Sequence, residues 1–174
     1  MAGFQVTKYD PRFRRRDGTY GRDEWIGVGH VGKEVGGKVV ELSEYLRSET
    51  GYVKAVRAFM QAAHVRRLRA VDLEDHPRFI DFLPPSLRDE TRERRRAFLE
   101  ARHLSGSGVD WAVRLALRNI IWCRLEGARG FYVHFGHDFY MFVGGETVKP
   151  TPPAMPPGIF AEEFESPVHR EDDE

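Results

Sequence analysis

The chain has 174 residues with 27 Lys+Arg against 27 Asp+Glu, and that neutral total hides an uneven distribution. The last sixteen residues, from Ile159, carry seven acids against Arg170, which leaves a body of net charge +6 and a tail of −6. One cysteine, Cys123, excludes an internal disulfide, and no apolar run approaches the ~20 residues that span a bilayer.

Met1 to Asp10 has no apolar core of the signal-peptide kind, so a cytoplasmic location is expected. Phe4 to Tyr9 alternates and predicts a strand that Asp10-Pro11 stops. Arg12 to Gly21 reads as a charged loop. Gly27-Val28-Gly29-His30-Val31-Gly32-Lys33-Glu34 is formally GxGxxG and one residue short of a P-loop. Phosphate binding needs a strand before the glycines and a helix after them, so that backbone N–H groups converge on the anion. Arg22-Asp23-Glu24-Trp25 precedes, Gly36-Gly37 follows and Glu34 repels phosphate, so a glycine-rich turn is the better reading.

A long helix is predicted from Ser43, as N-cap, to His64 or Val65. Tyr45, Tyr52, Val53, Val56, Phe59, Met60 and Ala63 form its apolar stripe, with Glu49 in the middle. A carboxylate there needs a partner, because an isolated buried charge is costly. Arg114 and Arg118, one turn apart on a later apolar helix, are the natural candidates. Either Glu49 and an arginine form an internal pair that fixes helix packing, or Glu49, Arg114 and His134 line a pocket, or Glu49 makes a polar contact at a partner interface.

Arg69 to Leu73 is a short strand candidate. A second helix is predicted from Pro84-Pro85-Ser86 to His103, with Ser86 and Asp89 as a capping-box-like pair. Its arginines, Arg92, Arg94, Arg95, Arg96 and Arg102, alternate with Asp89, Glu90, Glu93 and Glu100, which reads as a solvated face rather than a nucleic-acid surface. After Ser105-Gly106-Ser107-Gly108 a third helix is expected from Val109 to Glu126.

Phe131 to Val143, FYVHFGHDFYMFV, is the most informative stretch, a β-hairpin turning at Gly136-His137-Asp138. With a two-residue loop, one face carries Phe131, Val133, Phe135, Tyr140 and Phe142, and the other Tyr132, His134, Phe139, Met141 and Val143. Neither face is polar, so the hairpin is covered on both sides or offers one aromatic face to a partner. The partner-binding candidates are Tyr132, His134, His137, Asp138, Tyr140 and Phe142. His134 and His137 point to opposite faces of a strand, which argues against a metal site, and no cofactor is indicated. Lys149 to Gly158 holds five prolines and reads as an extended linker to an acidic, disordered tail, which places the globular domain at 1–148 and the appendage at 149–174.

Tyr9-Asp10-Pro11, Asp23-Glu24-Trp25, Glu44-Tyr45-Leu46, Trp122-Cys123 and Tyr140-Met141-Phe142-Val143-Gly144 together resemble small stand-alone bacterial immunity proteins encoded beside polymorphic or contact-dependent toxins. The likeness spans residues 4 to 145 and carries over no catalytic residue. It implies an inhibitor that binds a cognate toxin domain and occludes its active site. The fold expected is α+β, a single domain with three main helices on a small, mostly antiparallel sheet ending in the aromatic hairpin. A small enzyme built on Glu49, Arg114 and His134 is the alternative, and a nucleic-acid-binding module using the second helix is a weaker one.

Overall fold

A computed structural model describes residues 2–101 and 103–164. Arg102 and the acids from Glu165 onward lie outside the described residues, as does most of the acidic tail expected to be disordered. The architecture is α+β, as the patterning predicts. Eight strands are described: β1 (Ala2–Thr7), β2 (Glu34–Val35), β3 (Lys38–Val39), β4 (Arg69–Asp75), β5 (Ile121–Glu126), β6 (Tyr132–Phe135), β7 (Met141–Gly145) and β8 (Phe160–Glu163). The helices are α1 (Leu42–Ala62), α2 (Pro85–Glu100) and α3 (Ser107–Leu117). Six strands form one antiparallel sheet in the order β4-β5-β6-β7-β1-β8, and β2-β3 is a separate hairpin. No described helix is long and apolar enough to cross a membrane.

Helix α1 buries Tyr45, Glu49, Tyr52, Val53, Val56, Phe59 and Met60, the stripe that the 3.6-residue period predicts. Ser43 does not cap it. The helix starts at Leu42, and the Ser43 hydroxyl donates to Glu41 Oε2 at 3.2 Å. At the far end His64 takes a left-handed conformation (φ 56°), and the Val65 N–H returns to the Met60 carbonyl at 2.8 Å. Helix α2 begins on a proline and likewise makes no side-chain cap, so the Ser86–Asp89 box is not formed. It buries only Leu87, Thr91 and Phe98.

The largest departure from the sequence expectation lies after residue 117. Helix α3 stops there because Asn119 adopts φ 58°, and Ile120 N–H bonds the Leu115 carbonyl at 2.9 Å. Ile121–Glu126 is therefore strand β5, with Ile121, Cys123 and Leu125 buried and Trp122 at the surface. The apolar positions of this run satisfy a period of 2 as well as a helical face, and the αL-tolerant asparagine decides between them.

The hairpin faces also differ from expectation. Val133 pairs with Val143 and Phe135 with Met141, so odd positions face odd positions across a three-residue connection, His137 to Phe139. Phe131, Val133, Phe135, Met141 and Val143 share the core face with Phe4 and Val6, and Phe4 meets Phe59 of α1 at 5.5 Å. Tyr132, His134 and Phe142 share the opposite face.

The domain extends past residue 148. After the prolines, Ile159 is buried against α1, and Phe160–Glu163 pairs with β1 from Phe160↔Thr7 to Phe4↔Glu163. Glu162 pairs with Arg14 at 2.8 Å. The linker composition concealed a short alternating segment whose apolar residues had a place to go.

Candidate functional site

The hairpin connection places two consecutive non-glycine residues in the left-handed region. Asp138 and Phe139 both lie at positive φ (55° and 63°), a conformation that costs of order 1–3 kcal/mol for residues other than glycine. The fold supplies the compensation. The Phe139 ring is buried edge-on against Trp25 and Tyr52, both at 5.3 Å, and against Tyr45 at 6.0 Å. The Tyr9 hydroxyl donates to the Asp138 carbonyl at 2.6 Å, and the Tyr52 hydroxyl donates to the Phe139 carbonyl. Tyr52 in turn accepts from Lys8 N–H at 2.8 Å. Burial pushes the phenol pKa values of Tyr9 and Tyr52 up, which keeps both as donors.

The loop before α1 is held by the same residues. The Lys8 ammonium sits between the rings of Tyr9 and Trp25, 4.4 and 4.0 Å from their centroids, and pairs with Glu24 at 3.0 Å. Tyr20 donates to Glu24, and Trp25 Nε1 donates to Glu44 at 3.0 Å. Gly27 to His30 are thereby set beside the hairpin turn. Val28–His30 is a short 3-10 turn and the next helix begins only at Leu42, so the GxGxxG segment has no helix N-terminus to offer a phosphate.

Turn, loop and the C-terminal end of α3 enclose a two-lobed cleft. The larger lobe holds about 610 Å³ and the smaller about 280 Å³, and Gly29, Ala116, Asn119, Phe135, Gly136 and His137 line both. The larger falls within the range of ligand pockets. Its outer wall is a 3-10 turn, Pro77–Phe82, anchored by buried Ile80 and tied to α2 through Asp81–Arg92 at 2.9 Å. Phe79 packs between His76 and Phe82, and Phe82 is 77% exposed at the lip. Trp122 and Glu74, opposite one another on β5 and β4, complete that side. In the smaller lobe, the His30 Nδ1 atom is enclosed with no hydrogen-bond partner among the described residues.

Of the six hairpin candidates, His137 and Asp138 are exposed at this cleft, whereas Tyr132, His134 and Phe142 are buried and Tyr140 is half-buried. Tyr132 lies over Gly144, where an added Cβ would come 2.4 Å from its hydroxyl, and stacks on His134 at 4.4 Å. These rings fill the outer face of the sheet, and as drawn from the sequence the aromatic interface is not an open surface.

Glu49 is fully buried and held by three donors besides Arg114. Arg118 Nε and Nη2 approach at 2.6 and 2.9 Å, and the Tyr45 hydroxyl at 3.1 Å. Arg118 Nη1 also reaches Thr91 at 2.8 Å, so the cluster joins α1, α2 and α3. His134 projects from the other face of the sheet, because its neighbours Val133 and Phe135 point into the core. The Glu49–Arg114–His134 pocket is therefore not assembled, and the internal-pair reading of Glu49, Arg114 and Arg118 is the one the geometry matches. On α2, Arg92 and Arg95 pair with Asp81, Asp89 and Asp75, and Arg94 lies over Trp111 at 5.2 Å. Burial pushes the Cys123 thiol up to about 12, which leaves it an inert packing group.

His76, Phe79, Phe82 and Asn119 were not singled out by sequence reasoning, and His30 and Trp122 entered it only within longer motifs, not as site residues. Two phenylalanines three residues apart inside a proline-bounded segment, Pro77 to Pro84, were the available signal. No family model, no curated protein and no solved structure matches the chain.

Proposed function

We propose that the protein is a protein-binding inhibitor of the immunity type, acting by docking on a cognate toxin domain and occluding its active site. The observation that carries this reading is the exposed aromatic lip of the cleft. A phenylalanine 77% exposed on a turn tied to α2 by the Asp81–Arg92 ion pair, with exposed Trp122 lining the same lobe, has the composition of an interface hot spot. The surface differs from the one expected from the sequence. It is the cleft mouth, with His137 and Asp138 at its inner edge, and not the buried row Tyr132-His134-Phe142. The resemblance of residues 4 to 145 to immunity proteins supports the same class of activity.

The test is titration of the purified chain against the products of the genes adjacent to its own. Phe82→Ala is expected to weaken binding by about 2 kcal/mol or more, roughly 30-fold, while the melting temperature stays within a degree or two. Tight binding that ignores both Phe82→Ala and Trp122→Ala would move the interface elsewhere, and no binding at all would remove the inhibitor reading.

A further inference from the structure

We propose that the two-lobed cleft is a binding site for an uncharged planar nitrogen heterocycle of nucleobase type. Three features carry this. First, the lip offers an aromatic stacking surface: Arg78 already covers Phe79 at 5.2 Å, but Phe82 is 77% exposed and Trp122 flanks the same lobe. Every base has a π-face, so such a surface accepts bases without regard to sequence. Second, the floor is polar where the lobes meet. Asn119 is exposed into both, and its side-chain amide supplies one donor and one acceptor, the pair that reads a base edge. His30 lines the smaller lobe, and its enclosed Nδ1 has no hydrogen-bond partner among the described residues.

Third, the fixed charges at the cleft disfavour an anion. Arg118 is the cation that lines it, and its guanidinium is committed to Glu49 and Thr91. Glu74, whose carboxylate lies 3.3 Å from His76 Nε2, lines the larger lobe and Asp138 the smaller, and α3 presents its C-terminal, negative pole. A free base or nucleoside fits this field, whereas a nucleotide or a strand brings phosphate into it. The proposal shares the Phe82–Trp122 lip with the toxin-binding reading, and because it is tested with small probes on the isolated chain its failure is distinguishable from the failure of that reading.

The experiment is saturation-transfer NMR and calorimetric titration of the full chain with adenine, uracil, adenosine, adenosine monophosphate and indole. Expected are saturable binding of adenine or adenosine with a dissociation constant at or below about 1 mM, and a loss of about tenfold in Phe82→Ala. Asn119→Gly keeps the left-handed backbone and removes the amide, so it is expected to weaken adenine several-fold and leave indole unchanged. Adenosine monophosphate is expected to bind more weakly than adenosine. Absence of saturation by every base overturns the proposal. So does indifference of adenine to both variants, indole binding that exceeds that of every base, or a monophosphate that binds more tightly than the nucleoside.

Discussion

Glu49 shows how a polar residue in an apolar stripe is made tolerable. Its carboxylate is fully buried, yet two guanidiniums and a phenol surround it, so the desolvation cost is met by charge-assisted hydrogen bonds. Removing it leaves Arg118 buried without its partner, and Glu49→Ala is expected to cost about 3–5 kcal/mol of stability, read from denaturant unfolding. A loss below about 1 kcal/mol would mean that water or another group replaces the carboxylate. The tyrosines of the turn give a pH signature. Burial raises the pKa of Tyr9 and Tyr52 above the unfolded value of about 10, so their contribution is complete below that pH and is lost as pH climbs from there toward the folded values. Thermal melts between pH 8 and about pH 12 should fall steeply only above about pH 10, and Tyr52→Phe should flatten that fall. A variant with the parental profile would show that Tyr52 contributes nothing to it.

Among the elements, those with an unambiguous period were legible and those that satisfied two periods were not. Helix α1 was found because its buried residues recur every three or four positions over five turns. Strand β5 was read as helix because Ile120, Ile121, Trp122 and Leu125 are apolar under either period, and only Asn119 tips the choice. The hairpin was identified, but its faces were exchanged, because register depends on one residue of turn length. The Phe139 side chain that sets this length is held by Trp25, Tyr45 and Tyr52, far away in sequence. Tyr9, Trp25, Glu44 and Tyr45, which the sequence offered as marks of a family resemblance, belong to this support. Gly51 is a similar long-range case. Inside a helix, alanine is ordinarily better than glycine by about 1 kcal/mol, but a Cβ here would lie 2.7 Å from Ile159. Gly51→Ala is therefore expected to destabilise, as a drop in unfolding midpoint, and a stabilised variant would show that Ile159 shifts without cost.

At the scale of the whole molecule, the sheet is finished by a strand that the composition disguised. Five prolines and a run of acids suggested a disposable appendage, yet Ile159 seals the face of α1 and β8 covers the edge of β1 through four residue pairs. An exposed β1 edge would leave a row of unpaired backbone groups beside buried Phe4 and Val6, the arrangement that promotes aggregation. The Arg14–Glu162 bridge adds little by itself, being partly exposed. Burial of Ile159 alone is worth about 1.5–3 kcal/mol. Ending the chain after Gly158 is accordingly expected to lower stability by several kcal/mol and to raise the tendency to self-associate, measured by unfolding and by light scattering. Ending it after Phe164 instead retains β8 and should leave the melting temperature nearly unchanged. Equal melting temperatures for the two truncations would show that the strand is an accessory, and the boundary of the domain would return to residue 148.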